Sequence, residues 1–115
     1  MDATGDCIFC KLVTGEVPSR KVYEDDELYA FHDIAPWAPV HFLTIPKLHI
    51  ATLYDATDKH AAMLGRMLAL APRLALQLGA TNGFRTVINT GIDGGQEVQH
   101  LHMHVMGGPR PWAKG

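Results

Sequence analysis

The chain has 115 residues, 47% of them hydrophobic, and a formal net charge of −2. That length suits a single domain over residues 1–115 that buries its own core, and the charge gives no general pull toward nucleic acid or an anionic membrane. No apolar run approaches the roughly 20 residues of a membrane span, and Met1-Asp2-Ala3-Thr4-Gly5-Asp6 lacks the basic and apolar regions of a signal peptide, so a cytoplasmic protein is expected.

Both cysteines fall in one unit, Cys7-Ile8-Phe9-Cys10. Without an export signal, this spacing reads as metal or redox chemistry before it reads as a disulfide. A redox role would want a thioredoxin-like βαβ context, which is missing here. A short helical turn is predicted from Cys7 to Thr14, ending at Gly15 ahead of Pro18. Val22-Tyr23-Glu24 and Leu28-Tyr29-Ala30-Phe31 flank the polar Asp25-Asp26-Glu27 and read as a hairpin. Pro36 and Pro39 mark a loop, and Val40 to Ile45 is a buried strand stopped by Pro46.

Asp55, Thr57 or Asp58 is placed to cap a long helix running toward Gly79. Leu64, Met67, Leu68, Ala71, Leu74, Ala75 and Leu78 recur at helical spacing as its buried stripe. Pro72 cannot donate to the carbonyl four residues back, so a kink is expected near residues 68 to 72. Phe84 to Asn89 is another strand, Gly91 to Gln96 a glycine-rich loop, and Val98 to Val105 a last strand. The chain shows no internal repeat and no linker. About five strands in a mostly antiparallel sheet, with two helices covering one face, make the expected class α+β.

The last strand carries the chemistry. In His100-Leu101-His102-Met103-His104-Val105-Met106, strand geometry puts three imidazoles on one face and Leu101, Met103 and Val105 on the other. Three readings are open for such a row: a solvated strand face, a metal site, or nucleophilic catalysis in which one imidazole attacks and its neighbours tune protonation. The preceding Asn89-Thr90-Gly91-Ile92-Asp93-Gly94-Gly95-Gln96 offers backbone N–H groups to an anion, which suggests phosphate chemistry.

The His-X-His-X-His-X-X run resembles the signature of the histidine triad superfamily. Phe31-His32-Asp33-Ile34-Ala35-Pro36 and Ala38-Pro39-Val40-His41-Phe42-Leu43-Thr44-Ile45-Pro46-Lys47 look like its nucleoside-binding segment. Asp93-Gly94-Gly95-Gln96 before the triad is similar to the branch of small nucleoside phosphoramidate hydrolases, and the resemblance covers nearly the whole chain. It implies a hydrolase of purine nucleoside phosphoramidates, such as AMP linked to an amine, working as a homodimer.

The same resemblance implies roles. His102 would attack the α-phosphorus and form a covalent nucleotidyl-imidazole, with the His100 carbonyl holding its Nδ1–H. His104 would hydrogen-bond a phosphate oxygen or the leaving group, and His41 would complete the network. Asn89 and backbone N–H groups around Gly95, Gln96, Glu97 and Val98 would bind phosphate. Asp33 would accept from the ribose hydroxyls, as an acceptor-only carboxylate can. Ile8, Phe9, Phe31, Ile34 and Leu43 would form the apolar slot for the base, with His32 lining it or sitting at its rim. Some bacterial relatives look similar in binding structural zinc, which by that match would be held by Cys7, Cys10, His49 and His100; no organic cofactor is implied. Trp112 either reaches the partner's site in a dimer or anchors a short tail.

His104 stands where a uridylyltransferase-like branch carries glutamine, which favours transfer to water. Glu97 departs from the serine of animal members of the hydrolase branch, and Gln99 from a common aromatic. Three rivals stand beside the phosphoramidase: a dinucleoside polyphosphate hydrolase, a nucleotide-sensing module with little turnover, and a hydrolase with the triad around a catalytic ion.

Overall fold

The computed structural model describes residues 6–113, so all but the last residue of Met1 to Asp6 lies outside the described part. Helix α1 (Ile8–Thr14) begins at Cys7, whose Sγ accepts from the Cys10 N–H at 3.4 Å, and stops at Gly15, whose φ of 85° suits a residue without a side chain. Five strands follow: β1 (Lys21–Glu24), β2 (Leu28–His32), β3 (Val40–Pro46), β4 (Phe84–Val87) and β5 (Met103–Gly107). They form one antiparallel sheet in the order β1-β2-β3-β5-β4. The hairpin of β1 and β2 turns at Asp25, whose Oδ1 accepts the N–H groups of Glu27 and Leu28.

Helix α2 (Ala61–Gln77) runs without a break through Pro72. Its start differs from expectation. Thr57 caps a 3-10 turn over Asp58–His60, Asp55 closes an earlier turn begun by Thr52, and α2 starts from His60 with no side-chain cap. Its buried face carries Met63, Met67, Leu70, Ala71, Leu74 and Ala75, with Leu64 and Leu78 packed at its edge. Leu68, expected in that stripe, is 56% exposed. The stripe is narrower than the apolar pattern, because α2 meets a flat sheet along one line of side chains.

The two helices do not share a face, as the sequence had suggested. Leu28 and Ala30 of β2, Phe42 of β3, and Met103 and Val105 of β5 pack with α2. Tyr29 and Phe31 of β2, with Leu43 and Ile45 of β3, pack with Phe9 and Leu12 of α1. Central strands β2 and β3 are therefore buried on both faces, which explains their nearly continuous apolar sequence. Among the described residues, no helix is long and apolar enough to cross a membrane.

Candidate active site

The histidines converge on the α1 face, but only part of their segment is a strand. Regular pairing begins at Met103; His100, in a bend, and His102 precede it in irregular chain. The alternation persists there, with Leu101 joining the α2 core beside Met103 and Val105. The Leu101 N–H donates to the Ile50 carbonyl at 2.6 Å and holds the segment in place.

Hydrogen bonds assign the protons. The His102 Nδ1–H donates to the His100 carbonyl at 2.7 Å, which leaves the lone pair on Nε2. His41 Nδ1 accepts the Trp37 N–H at 3.0 Å, so neutral His41 carries its hydrogen on Nε2. That Nε2 lies 3.0 Å from His104 Nδ1 and donates to it, so His104 keeps its own hydrogen on Nε2. The rings of His102 and His104 stand 5.1 Å apart, and Phe9 meets His102 edge-on at 5.1 Å. The site thus sets one free imidazole lone pair beside one imidazole donor. The triad rings face three different partners and do not surround a single point.

Burial lowers the pKa of each of these imidazoles. His104 is pushed down to about 4, first by burial and then by His102 and His41. His41 is lowered by burial against the pull of the Asp33 carboxylate, whose Oδ2 lies 3.5 Å from Nε2. His102 is lowered by burial, while the His100 carbonyl and the carboxylates of Asp33 and Glu97 work upward. These groups are neutral at pH 7, as a nucleophile and its hydrogen-bonding neighbours need to be.

The glycine-rich loop is locked from within. Gly95 donates to the Ile92 carbonyl and Gln96 to the Gly91 carbonyl, each at 3.0 Å. Those two amides, expected to face phosphate, are therefore spent inside the loop. The Gln96 side chain is buried: Oε1 accepts the Gly91 N–H at 3.0 Å, and Nε2 donates to the carbonyls of Ala51 and Val98 at 2.7 and 2.8 Å. Asn89 donates from Nδ2 to the Gly94 carbonyl at 2.7 Å. A Cβ on Gly94 would lie 2.3 Å from the Thr90 oxygen, so only glycine fits there.

Of the apolar residues expected to hold a base, Phe9, Phe31 and Leu43 are buried together, with Val98 packed against them. Ile8 is 42% and Ile34 100% exposed, so both stand at an open edge. His32 follows the strand alternation onto the face opposite Phe31, away from that cluster. Asp33 receives the Ala35 N–H on Oδ1 at 2.8 Å. Trp112 donates to the Gly108 carbonyl at 3.0 Å and lies under the Arg110 guanidinium at 3.7 Å.

Cys7, Cys10, His49 and His100 form a second cluster, with one ligand atom of each within 4.8 Å of every other. The fully buried His100 donates from Nε2 to the Pro46 carbonyl at 2.8 Å, which turns its Nδ1 lone pair toward the cluster. That Nδ1 lies 3.3 Å from Cys7 Sγ, 3.5 Å from Cys10 Sγ and 3.2 Å from His49 Nδ1, and His49 Nδ1 lies 3.4 Å from Cys10 Sγ. A tetrahedral zinc with normal bond lengths needs edges of about 3.3 Å between nitrogens and about 3.6 Å between nitrogen and sulfur. The cluster fits zinc.

The residues that sequence reasoning missed act through their backbone. The Trp37 N–H sets the His41 tautomer, and the carbonyls of Pro46 and Ala51 orient His100 and Gln96. Every residue offers those groups, so nothing in a sequence marks which ones are used.

A family model described as the HIT domain matches residues 14–110. Protein HitA of Neisseria gonorrhoeae is 51% identical over 104 residues, covering 90% of this chain and 97% of that protein. The purine nucleoside phosphoramidase of Escherichia coli strain K12 is 47% identical over 104 residues, covering 90% of this chain and 87% of that enzyme. The structure of a histidine triad protein from Clostridium difficile matches with a TM-score of 0.89 at 45% identity, over 96% of each chain. Matched across most of its length by family model, relatives and solved structure alike, the chain belongs to the HIT domain family.

Proposed function

We propose that this protein hydrolyses purine nucleoside phosphoramidates of the AMP–amine type through a covalent nucleotidyl-His102. The observation that carries the reading is the 2.7 Å bond from His102 Nδ1 to the His100 carbonyl, which aims an unprotonated Nε2 at the site. In the first step Nε2 bonds to phosphorus and the P–N bond breaks, its electron pair leaving with the amine, which takes up a proton. In the second, a water oxygen bonds to phosphorus, the P–Nε2 bond breaks, and AMP and free His102 result. Two easier displacements replace one hard one.

His104 donates from Nε2 to a phosphate oxygen or the leaving group, and His41 keeps it in that tautomer. His100 contributes its carbonyl. Asn89 and the amides of Glu97 and Val98 bind phosphate, Asp33 accepts from ribose hydroxyls, and Phe9, Phe31 and Leu43 hold the base, with Ile8 and Ile34 around its mouth. Zinc on Cys7, Cys10, His49 and His100 would supply a structural tie between the start of α1 and the His100 carbonyl. The exposed Leu68 and Leu76 of α2 support a homodimer, since they give this face apolar surface to bury.

The test is a single-turnover assay with an adenosine phosphoramidate of a fluorescent amine, on wild type and on His102→Asn. Amine release by wild type alone, with an acid-labile nucleotidyl-protein trapped on quenching, is expected. No release from either protein, with AMP binding intact, would replace the reading with a nucleotide sensor.

A further inference from the structure

The chain that follows β5 turns onto the loop that carries Trp37. Gly108, at a φ of 104°, lies so close to Pro39 that a Cβ there would stand 2.8 Å from the Pro39 Cβ. The Trp112 indole N–H donates to the Gly108 carbonyl at 3.0 Å, which closes residues 108–112 into a ring. Ala113 then donates its N–H to the Trp37 carbonyl at 2.7 Å. On the other side of the same Cα, the Trp37 N–H donates to His41 Nδ1 at 3.0 Å, so Trp37 is held from both sides. Nearer the start of the loop, Asp33 donates to the His41 carbonyl at 3.0 Å and Asp33 Oδ1 accepts from the Ala35 N–H at 2.8 Å. Pro36 and Pro39 have no N–H to offer, so the stretch between them is poor in donors of its own.

His41 and His104 share one hydrogen across 3.0 Å, and a neutral pair of this kind has two arrangements. In the first, His41 Nε2–H donates to His104 Nδ1, and His104 keeps a hydrogen on Nε2. In the second, His41 carries its hydrogen on Nδ1 and accepts from His104 Nδ1–H, which leaves His104 Nε2 a bare lone pair. The first arrangement offers a phosphate oxygen a donor, whereas the second offers a lone pair that repels it. The contact between the two rings is the same in both and does not choose. The Trp37 N–H chooses, because the second arrangement would set two hydrogens against each other at His41 Nδ1.

We propose that residues 108–113 form a positioning strap for the active site. Through the bond from Ala113 to Trp37, the strap holds the Trp37 N–H on His41 and so keeps His104 in its donor form. Trp37 and Ala113 are positioning residues that act through His41. The tautomer assignment stands on the geometry alone, and its effect on turnover rests on the phosphoramidase reading.

The experiment compares wild type, Ala113→Gly, which keeps the N–H, and Ala113→Pro, which removes it at an exposed position. Long-range ¹H–¹⁵N NMR on the full chain labelled at histidine, at about pH 8 where imidazoles are neutral, reads the tautomer of each ring. Wild type and Ala113→Gly should show His41 and His104 protonated on Nε2. In Ala113→Pro both should move together toward a mixture of tautomers, because one hydrogen links them. His102, held by the His100 carbonyl, should not change. Trp112→Phe keeps the Ala113 N–H but opens the ring at Gly108, and should give a smaller shift in the same direction. With an adenosine phosphoramidate, kcat/KM should fall about fivefold in Ala113→Pro, the order of one neutral hydrogen bond, while adenosine affinity holds. His41 and His104 on Nε2 in Ala113→Pro, as in wild type, would overturn the proposal whatever happens to turnover. Tautomers that shift as expected in a wild type without phosphoramidase activity would uphold the strap and overturn only that reading.

Discussion

Replacing Gln96 by leucine removes the buckle of the glycine-rich loop while keeping roughly its volume. Gln96 is 8% exposed and its side chain makes three hydrogen bonds, to Gly91, Ala51 and Val98. At about 0.5–1.5 kcal/mol net per bond, the loss sums to about 1.5–4.5 kcal/mol. The three backbone partners are only partly buried and regain some hydration, so a value near 3 kcal/mol is expected. In a domain of this size that lowers Tm by about 10 °C. In the proposed reading the loop presents the amides of Glu97 and Val98 and the Asn89 side chain to phosphate, so phosphate binding should suffer selectively. AMP affinity should fall at least about tenfold, and adenosine affinity should change little, since Phe9, Phe31 and Leu43 are untouched. Gln96→Glu keeps the shape and the acceptor but loses the Nε2 donors, and should fall between wild type and leucine. Urea and thermal melts read the stability, and calorimetry with adenosine and AMP reads the split. A Tm drop under about 3 °C, or equal losses for the two ligands, would refute the assignment.

The half-buried His104 gives the pH dependence a definite sign. Its folded-state pKa is lowered to about 4 from 6.5, so between those values the unfolded chain holds more protons. Its contribution to stability is therefore present above about pH 6.5 and lost as pH falls toward 4. The urea midpoint should drop from pH 7 to pH 5, and His104→Gln should show a smaller drop; an equal drop in the variant would rule out His104 as the source. The Cys2His2 cluster predicts one zinc per chain in protein purified without chelators. Cys10→Ser should lower metal content and Tm more than the chemical step, and metal analysis finding no zinc would sink the idea. Leu68→Arg should convert a dimer to a monomer in sedimentation equilibrium without loss of helix content, and a wild-type monomer would remove the dimer proposal.

Much was legible in the residues themselves. The alternation through Leu101, Met103 and Val105, the hairpin around Asp25-Asp26-Glu27 and the cap at Gly15 each follow from local geometry, and each is present. The histidine row and the Cys-X-X-Cys unit marked the two clusters because those side chains have few reasons to be grouped. Local pattern failed where two elements had to choose each other. The apolar runs of β2 and β3 do not say which helix takes which face, so α1 and α2 were wrongly placed together. Leu68 fits the α2 stripe by spacing but meets no sheet.

Tertiary structure alone decided the protonation of the site. His41 and His104 are 63 positions apart and are brought together by the pairing of β3 with β5, while His49 and His100 are 51 apart and meet where the Leu101 N–H bonds the Ile50 carbonyl. Which nitrogen carries each proton then depends on the Trp37 N–H and the carbonyls of His100 and Pro46. Side-chain type and spacing are written in the sequence and determined the fold class and the candidate site residues. Backbone donors and acceptors are the same at nearly every position, so folding had to select the few that fix the tautomers of His41, His100 and His102.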